Sequence, residues 1–110
     1  MAFESLPRPT IFAHRGASAY APENTLAAFR LAVEQKADAI ELDTKLTADG
    51  HVIVIHDQTL ERTTNGQGIV IQTPLAALRE LEAGSHFEAA FKGEKLPTLD
   101  AVFETVGRKI

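Results

Sequence analysis

The stretch that decides the fold is residues 39–57, AIELDTKLTADGHVIVIHD. Residues 39–43 combine apolar and acidic positions, and residues 52–55 are β-branched throughout, so both segments are predicted to be strands. Asp49-Gly50 between them is a turn signal. A strand that is apolar on both faces is typical of a sheet buried under helices.

The segments before this stretch add a strand and a helix. Residues 10–13 form a short apolar run that ends at His14, which predicts a buried strand leading into a loop. Residues 22–25, Pro-Glu-Asn-Thr, predict the start of a helix that closes at Gln35-Lys36. We assign Asn24 as the helix cap, with Glu23 favourable near the positive end of the helix dipole.

The segments after it add two helices. A helix is predicted from Thr73-Pro74 to Gly84, and another from Pro97-Thr98 to Gly107. Residues 59–72 are predicted to be a loop, and residues 58–93 as a whole are a loop or insertion region. Residues 108–110 resemble the approach to a further strand. Alternating strands and helices predict an α/β fold with a mainly parallel sheet, in one domain spanning residues 1–110.

Composition excludes several classes of protein. The chain has 110 residues, of which 45% are hydrophobic and 24% charged, as in globular domains. A formal net charge of -4 argues against a nucleic-acid-binding surface, and zero cysteines exclude disulfides and zinc-thiolate sites. The sequence contains neither an apolar run of membrane-spanning length nor a signal segment, so we expect a cytoplasmic protein without a membrane span. The oligomeric state is open.

Polar groups follow three of the predicted strands, where the functional groups of α/β sheets gather. They are His14 with Arg15, Glu41 with Asp43, and His56 with Asp57. Glu41 and Asp43 are two apart, so on a strand both carboxylates face one side and Leu42 packs on the other. The pair fits a divalent cation such as Mg²⁺ or Ca²⁺, and the alternative is an exposed edge strand.

Two histidines at equivalent strand ends favour acid–base catalysis, although a single histidine is more often structural. We therefore assign His14 and His56 as candidate catalytic residues and leave His51 and His86 on the surface. Arg15 suggests an anionic, phosphate-bearing substrate, and the alternative is a surface salt bridge. The polar segment 60–66 either lines the site or is solvated.

Two chain paths would bring His56 near the carboxylates. If Asp49-Gly50 forms a two-residue hairpin loop, Ala48 faces His51 and Asp43 lies opposite His56. If the strands are parallel, residues 44–50 reach about 23 Å, which is enough to return along one strand.

Taken together, these motifs resemble the N-terminal part of the glycerophosphodiester phosphodiesterase family, close to its bacterial cytosolic members. The resemblance runs from Ile11 to about Val106. The ordered set that carries it comprises His14-Arg15-Gly16, Pro22-Glu23-Asn24-Thr25, Glu41-Leu42-Asp43, His56-Asp57, Leu60-Glu61-Arg62-Thr63, Asn65-Gly66, Gly84-Ser85 and Phe91-Lys92-Gly93.

The resemblance implies the N-terminal part of a (β/α)₈ TIM barrel that hydrolyses glycerophosphodiesters to glycerol 3-phosphate and an alcohol. It implies that His14 and His56 are the acid–base pair, Arg15 binds phosphate, and Glu41 and Asp43 are metal ligands. A third ligand is expected beyond Ile110. In the implied mechanism, the metal and one histidine activate the substrate's glycerol hydroxyl, which attacks phosphorus. The other histidine protonates the leaving alcohol, and water opens the cyclic phosphate.

A barrel of this kind needs about 200 or more residues, so we expect the chain to be truncated relative to a complete barrel. Two interpretations other than the phosphodiesterase remain. These residues could instead form an inactive or assembly-dependent half-barrel that binds a partner or phosphate without turnover. A phospholipase-D-like relative with the same barrel is the third interpretation.

Overall fold

The computed structural model describes residues 10–107 and Lys109. Four strands are present in this part of the chain: β1 (Phe12–His14), β2 (Ala39–Glu41), β3 (Thr44–Leu46) and β4 (Val52–Val54). Three α-helices accompany them: α1 (Leu26–Glu34), α2 (Leu75–Arg79) and α3 (Leu99–Val106). Short 3₁₀ helices occupy Val70–Gln72 and Ala89–Phe91.

The strands form one parallel and one antiparallel pair. β1 pairs with β2 in parallel, with His14 opposite Glu41, and α1 makes the crossover between them. β3 pairs with β4 as an antiparallel hairpin. The prediction of a mainly parallel sheet is therefore wrong for this hairpin. The chain does not return down the sheet after β2 but continues almost directly into β3, which is the local route to an antiparallel pair.

The hairpin register also differs from the two-residue loop considered above. Thr47 donates its backbone N–H to His51, so the loop holds three residues and Asp43 pairs with Ile55 instead of His56. The physical reason lies in the loop. Thr47 donates its hydroxyl to Asp49 Oδ1, and Gly50 has a φ of 82°, the left-handed conformation that closes three-residue hairpins.

The cap of α1 is Thr25, so the assignment of Asn24 to this role is wrong. Thr25 Oγ1 accepts from the Ala28 N–H at 3.2 Å and donates to the Pro22 carbonyl at 2.7 Å. The hydroxyl thereby satisfies an N–H that has no partner within the helix. Asn24 is left with its side chain available for another contact.

The predicted helix from Thr73-Pro74 is also shorter than expected, because α2 ends at Arg79 and not near Gly84. Apolar spacing continued to Leu81, but Glu82 turns instead to accept N–H groups of the following loop, from Gly84 and Ser85. Residues 58–93 contain α2 and both 3₁₀ helices. The strand expected to begin at residues 108–110 lies outside the described residues except for Lys109.

β4 separates two clusters of buried apolar side chains. Ile53 and Ile55 point into the first, and Val54 points into the second with Phe29 of α1 and Val102 of α3. This placement explains why the strand is apolar on both faces. Leu42 packs against the second cluster, as predicted. In residues 10–107 and 109, no helix is long and apolar enough to cross a membrane.

Candidate active site

The turn after β1 carries Arg15, one of the predicted site residues. Arg15 and Gly16 both have left-handed backbones, with φ values of 58° and 80°. Arg15 donates its N–H to the Glu41 carbonyl at 2.8 Å, and its own carbonyl accepts from Asn24 at 2.9 Å. A left-handed arginine is uncommon, and such strained residues concentrate at functional sites.

Gly16 allows this turn to approach α1 closely. A Cβ at this position would lie 2.8 Å from the backbone carbon of Ala28, which is closer than carbon atoms pack. Ala17 also donates its N–H to the Ala28 carbonyl at 3.0 Å. The turn that carries Arg15 is thus held directly against the first helix.

The ends of β1 and β2 bring together four of the predicted residues as two pairs of contacting side chains. His14 Nε2 lies 3.3 Å from Glu41 Oε2, and Arg15 Nε lies 3.4 Å from Asp43 Oδ2. The first pair is largely exposed and the second is mostly buried. The strand ends therefore form a surface on which a histidine, an arginine and two carboxylates stand side by side.

Asn24 is a site neighbour that sequence reasoning assigned to a different task. It is buried, has a φ of 57°, and donates from Nδ2 to Asp43 Oδ2 at 3.1 Å. Asparagine tolerates the left-handed backbone better than most residues, because its short amide can bond locally. Asn24 and Arg15 together fix the orientation of Asp43.

His56 belongs to a second group, which lies at the end of β4. Its Nδ1 is 2.8 Å from Asp57 Oδ1. Arg62 donates from Nε to Asp57 Oδ2 at 2.8 Å and from Nη2 to Asp57 Oδ1 at 3.0 Å. The same guanidinium donates from Nη1 and Nη2 to both oxygens of Glu23, at 2.8 and 2.9 Å.

Glu23 connects the two groups. Its carboxylate also lies 3.3 Å from Arg15 Nη1, so polar contacts between side chains run without a break from His56 through Asp57, Arg62, Glu23 and Arg15 to Asp43. The sequence of residues 60–66 predicts either a site-lining or a solvated segment and indicates no separate role for Arg62. Its partner Glu23 is 39 positions away, and no local pattern could reveal that contact.

The pKa values of these groups follow from their contacts. Hydrogen bonds from Arg62 lower the pKa of Glu23 from its usual 4.5, against an opposing effect of burial. Hydrogen bonds from Arg62, and then from His56, hold the pKa of Asp57 far below its usual 3.8. The hydrogen bonds to Glu23 and Asp57 in turn raise the pKa of Arg62. Both carboxylates therefore stay ionised at neutral pH.

The donor set fits a divalent cation with oxygen ligands. Glu41 Oε1 and Asn24 Oδ1 are buried atoms with no hydrogen-bond donor in the described part of the chain. Among the described residues, Asp43, Glu23 and Asp57 pair with the guanidiniums of Arg15 and Arg62, while Glu41 contacts His14 and Asp57 also contacts His56. When both imidazoles are neutral, the four carboxylates exceed the two guanidiniums by two negative charges. Buried oxygen acceptors with excess negative charge are what Mg²⁺ and Ca²⁺ satisfy.

Within residues 10–107 and 109, no three histidine or acidic side chains converge closely enough to form a complete metal cage. The predicted pair Glu41 and Asp43 would accordingly supply part of a coordination shell. His51 and His86 are exposed, as predicted.

The sequence model described as the glycerophosphoryl diester phosphodiesterase family matches residues 14–110. The chain belongs to this family. Among curated relatives, the glycerophosphodiester phosphodiesterase of Caldanaerobacter subterraneus is 54% identical over 99 residues, which are 90% of this chain and 41% of the relative. The Bacillus subtilis enzyme of the same name is 46% identical over 104 residues, covering 87% of this chain and 36% of the relative.

Solved structures of the phosphodiesterase family have the same fold. The Agrobacterium tumefaciens glycerophosphodiester phosphodiesterase is 50% identical, with a TM-score of 0.86 over 88% of this chain and 42% of that one. An Oleispira antarctica phosphodiesterase in complex with the product sn-glycerol-3-phosphate is 41% identical, with a TM-score of 0.92 over 97% of this chain and 42% of that one. The chain therefore corresponds to the N-terminal part of a (β/α)₈ barrel and spans about 40% of these relatives' length.

Proposed function

We propose that the protein hydrolyses glycerophosphodiesters to glycerol 3-phosphate and an alcohol with the help of one divalent cation, Mg²⁺ or Ca²⁺. The observation that carries the proposal is the pairing of His14 with Glu41 and of Arg15 with Asp43 at adjacent strand ends. Family membership and the names of the relatives support the same substrate class. The product complex of the Oleispira antarctica relative supports the direction of the reaction.

Glu41 and Asp43 would hold the cation, which when bound neutralises negative charge that develops on the phosphate oxygens. The two oxygens of Glu41 are suited to separate tasks, because Oε2 contacts His14 while Oε1 is buried without a donor among the described residues. Asn24 and Arg15 keep Asp43 in place from the other side. Fixed carboxylates of this kind reduce the reorganisation that cation binding requires.

Arg15 would bind the phosphodiester anion. Its guanidinium is mostly buried, and a guanidinium matches two phosphate oxygens at once. Its contacts with Glu23 and Asp43, at 3.3 and 3.4 Å, are longer than strong charge-assisted hydrogen bonds. The side chain can therefore exchange part of this pairing for a phosphate oxygen.

His14 and His56 would carry the protons. One accepts the proton of the substrate's free glycerol hydroxyl as this oxygen attacks phosphorus, and the other protonates the departing alcohol. The resulting cyclic phosphate is opened by water with the roles reversed. Because Nδ1 of His56 is engaged by Asp57, Nε2 is the nitrogen that exchanges a proton with the substrate.

The test uses the protein as its gene encodes it and glycerophosphocholine as substrate, with coupled detection of glycerol 3-phosphate. We expect turnover that disappears on treatment with a chelator and returns when Mg²⁺ or Ca²⁺ is added. Substituting His14→Ala should reduce kcat by about 10²- to 10⁴-fold, the range for loss of a general acid or base. His51→Ala is the matched control, because the side chain of His51 is exposed next to the hairpin loop and its loss should leave kcat unchanged.

A folded protein that shows no turnover with either cation would contradict the proposal. If such a protein still binds inorganic phosphate, the half-barrel without catalysis becomes the better description. Activity on sphingomyelin instead of water-soluble diesters would favour the phospholipase-D-like interpretation.

A further inference from the structure

Arg62 lies between two carboxylates that come from opposite sides of the candidate site. The Nε and Nη2 edge of its guanidinium donates to Asp57, directly after the β4 segment, at 2.8 and 3.0 Å. The Nη1 and Nη2 edge donates to Glu23, just before α1, at 2.8 and 2.9 Å. One side chain therefore ties together the two loops that follow β1 and β4.

This arrangement can be made only by arginine. The planar guanidinium donates four hydrogen bonds in fixed directions. A lysine ammonium carries its three donors on one atom, so it cannot form paired hydrogen bonds with both carboxylates. The carboxylates are better shielded than the guanidinium. Their side chains are 24% and 14% exposed, compared with 49% for Arg62.

Asp57, which Arg62 holds in place, also contacts His56. Its Oδ1 accepts from Arg62 Nη2 and lies 2.8 Å from His56 Nδ1. A carboxylate at this distance selects the Nδ1–H form of a neutral imidazole and fixes the plane of the ring. His56 is 43% exposed, so without this contact little would restrain its orientation.

We propose that Arg62 is a positioning residue: it fixes Asp57, and Asp57 holds the His56 ring with Nδ1–H bound and Nε2 free for proton transfer. This inference rests on the proposed function in so far as His56 is a proton-transfer group. The contacts that carry it are independent of the cation. The lowered pKa of Asp57, caused first by its hydrogen bonds from Arg62, keeps this residue an acceptor at neutral pH.

The direct test is the tautomeric state of His56, measured by the ¹⁵N chemical shifts of the imidazole nitrogens in the protein as its gene encodes it. His56→Gln identifies the signals. In the wild type we expect the neutral ring to carry its proton on Nδ1. Arg62→Lys and Asp57→Asn should shift this population toward Nε2–H, and Arg30→Lys, at an exposed arginine of α1, should not.

Steady-state kinetics on glycerophosphocholine supply the second measurement. For Arg62→Lys we expect kcat to fall about 10- to 100-fold, by analogy with residues that orient metal-bound histidines. KM should change by less than about 3-fold, because a positioning residue acts on the chemical step and not on ground-state binding. Arg62→Gln, which removes the charge but keeps some hydrogen bonding, should be no more active than Arg62→Lys.

Several results would overturn the inference. A His56 tautomer that is the same in Arg62→Lys as in the wild type would show that Arg62 does not act on the ring. A raised KM with unchanged kcat would assign Arg62 to substrate binding instead. Circular dichroism verifies the fold of each variant, and if Arg62→Lys does not fold, the His56 tautomer is measured in Arg62→Gln, which changes the same contact. The tautomer measurement needs no turnover, so failure of the proposed function would not obscure it.

Discussion

Glu23 is shared unequally between two arginines, and this inequality has a chemical consequence. Arg62 donates to the two carboxylate oxygens at 2.8 and 2.9 Å, while Arg15 Nη1 lies 3.5 and 3.3 Å from the same two oxygens. Because the charge of Glu23 is largely compensated by Arg62, Glu23 holds the guanidinium of Arg15 in place but neutralises it only in part, and the other carboxylate partner of Arg15, Asp43, lies 3.4 Å away. For the proposed binding of the phosphodiester by Arg15, these long contacts mean that fewer strong hydrogen bonds are lost.

The contacts of Arg62 predict how stability depends on pH. The pKa values of Glu23 and Asp57 are lowered from 4.5 and 3.8 in the folded protein, so the unfolded chain binds more protons in acid. Their contribution is fully present above about pH 5 and is lost as the pH falls through and below the usual values. Arg62→Ala removes the largest cause of the lowered pKa values of Glu23 and Asp57, and with it most of this part of the acid sensitivity.

We therefore expect Arg62→Ala to cost on the order of 1 kcal/mol at pH 7, since the guanidinium is half exposed and solvent screens its ion pairs. The difference in Tm between wild type and variant should shrink as the pH falls from about 5 to 3. Thermal unfolding followed by circular dichroism measures this. Arg30→Ala provides the control, and a difference that stays constant with pH would contradict the assignment.

At the residue scale, the polar residues at the strand ends predict which groups meet in the site. They do not predict the contacts that hold these groups in place. His14, Arg15, Glu41 and Asp43 meet because β1 and β2 are adjacent and parallel, and short polar motifs after apolar runs predict that geometry. The contacts that brace these groups come from Asn24 and Arg62, through loops that hydrophobic periodicity does not describe. Contacts between distant loops depend on the folded chain as a whole.

At the scale of elements, β4 is the strand on which both cores depend. Ile53 and Val54 are fully buried on opposite faces, whereas Val52 at the start of the same strand is 37% exposed. The Val54 N–H donates to the Pro97 carbonyl, and Ile53 forms a bridge with Thr98. The strand thus also fixes the start of α3 at its cap, Thr98.

Two valines of β4 allow a matched test of this description. Val54→Ala removes two methyl groups from the second cluster and should lower the free energy of unfolding by about 2–3 kcal/mol, through lost burial and the remaining cavity. Val52→Ala removes the same atoms from a partly exposed site and should cost less than about 1 kcal/mol. Urea denaturation measures both, and equal losses would contradict the assignment of Val54 to the core.

The elements also show where sequence patterns stop being informative. Four consecutive β-branched residues predict a strand over residues 52–55, and β4 confirms this prediction over Val52–Val54. The partner and register were not determined by that pattern. They depend on Thr47, Asp49 and Gly50, whose side-chain and backbone geometry close a three-residue loop instead of a two-residue one. A shift of one residue then moves Asp43 from opposite His56 to opposite Ile55.

At the scale of the whole chain, the described residues form a flat body with extents of 41 × 31 × 20 Å. The two apolar clusters lie on either side of β4 and are joined through it. α1 packs against α3 on one side, while α2 and the segments around it cover the other. The candidate site lies along the strand ends, across the boundary between these two halves.

This shared strand predicts that the two clusters unfold together. Phe29 is fully buried in one cluster and Leu78 in the other, and both clusters contain residues of β4. Phe29→Leu and Leu78→Val should each lower the free energy of unfolding by about 1–2 kcal/mol. Because neither cluster can lose β4 without exposing the other, each variant should move one calorimetric peak as a whole, by several degrees. A peak that splits in either variant, with one part staying at the wild-type temperature, would show that the halves are independent. The side-chain contacts that connect His56 to Arg15 through Asp57, Arg62 and Glu23 would then span two separately folding units.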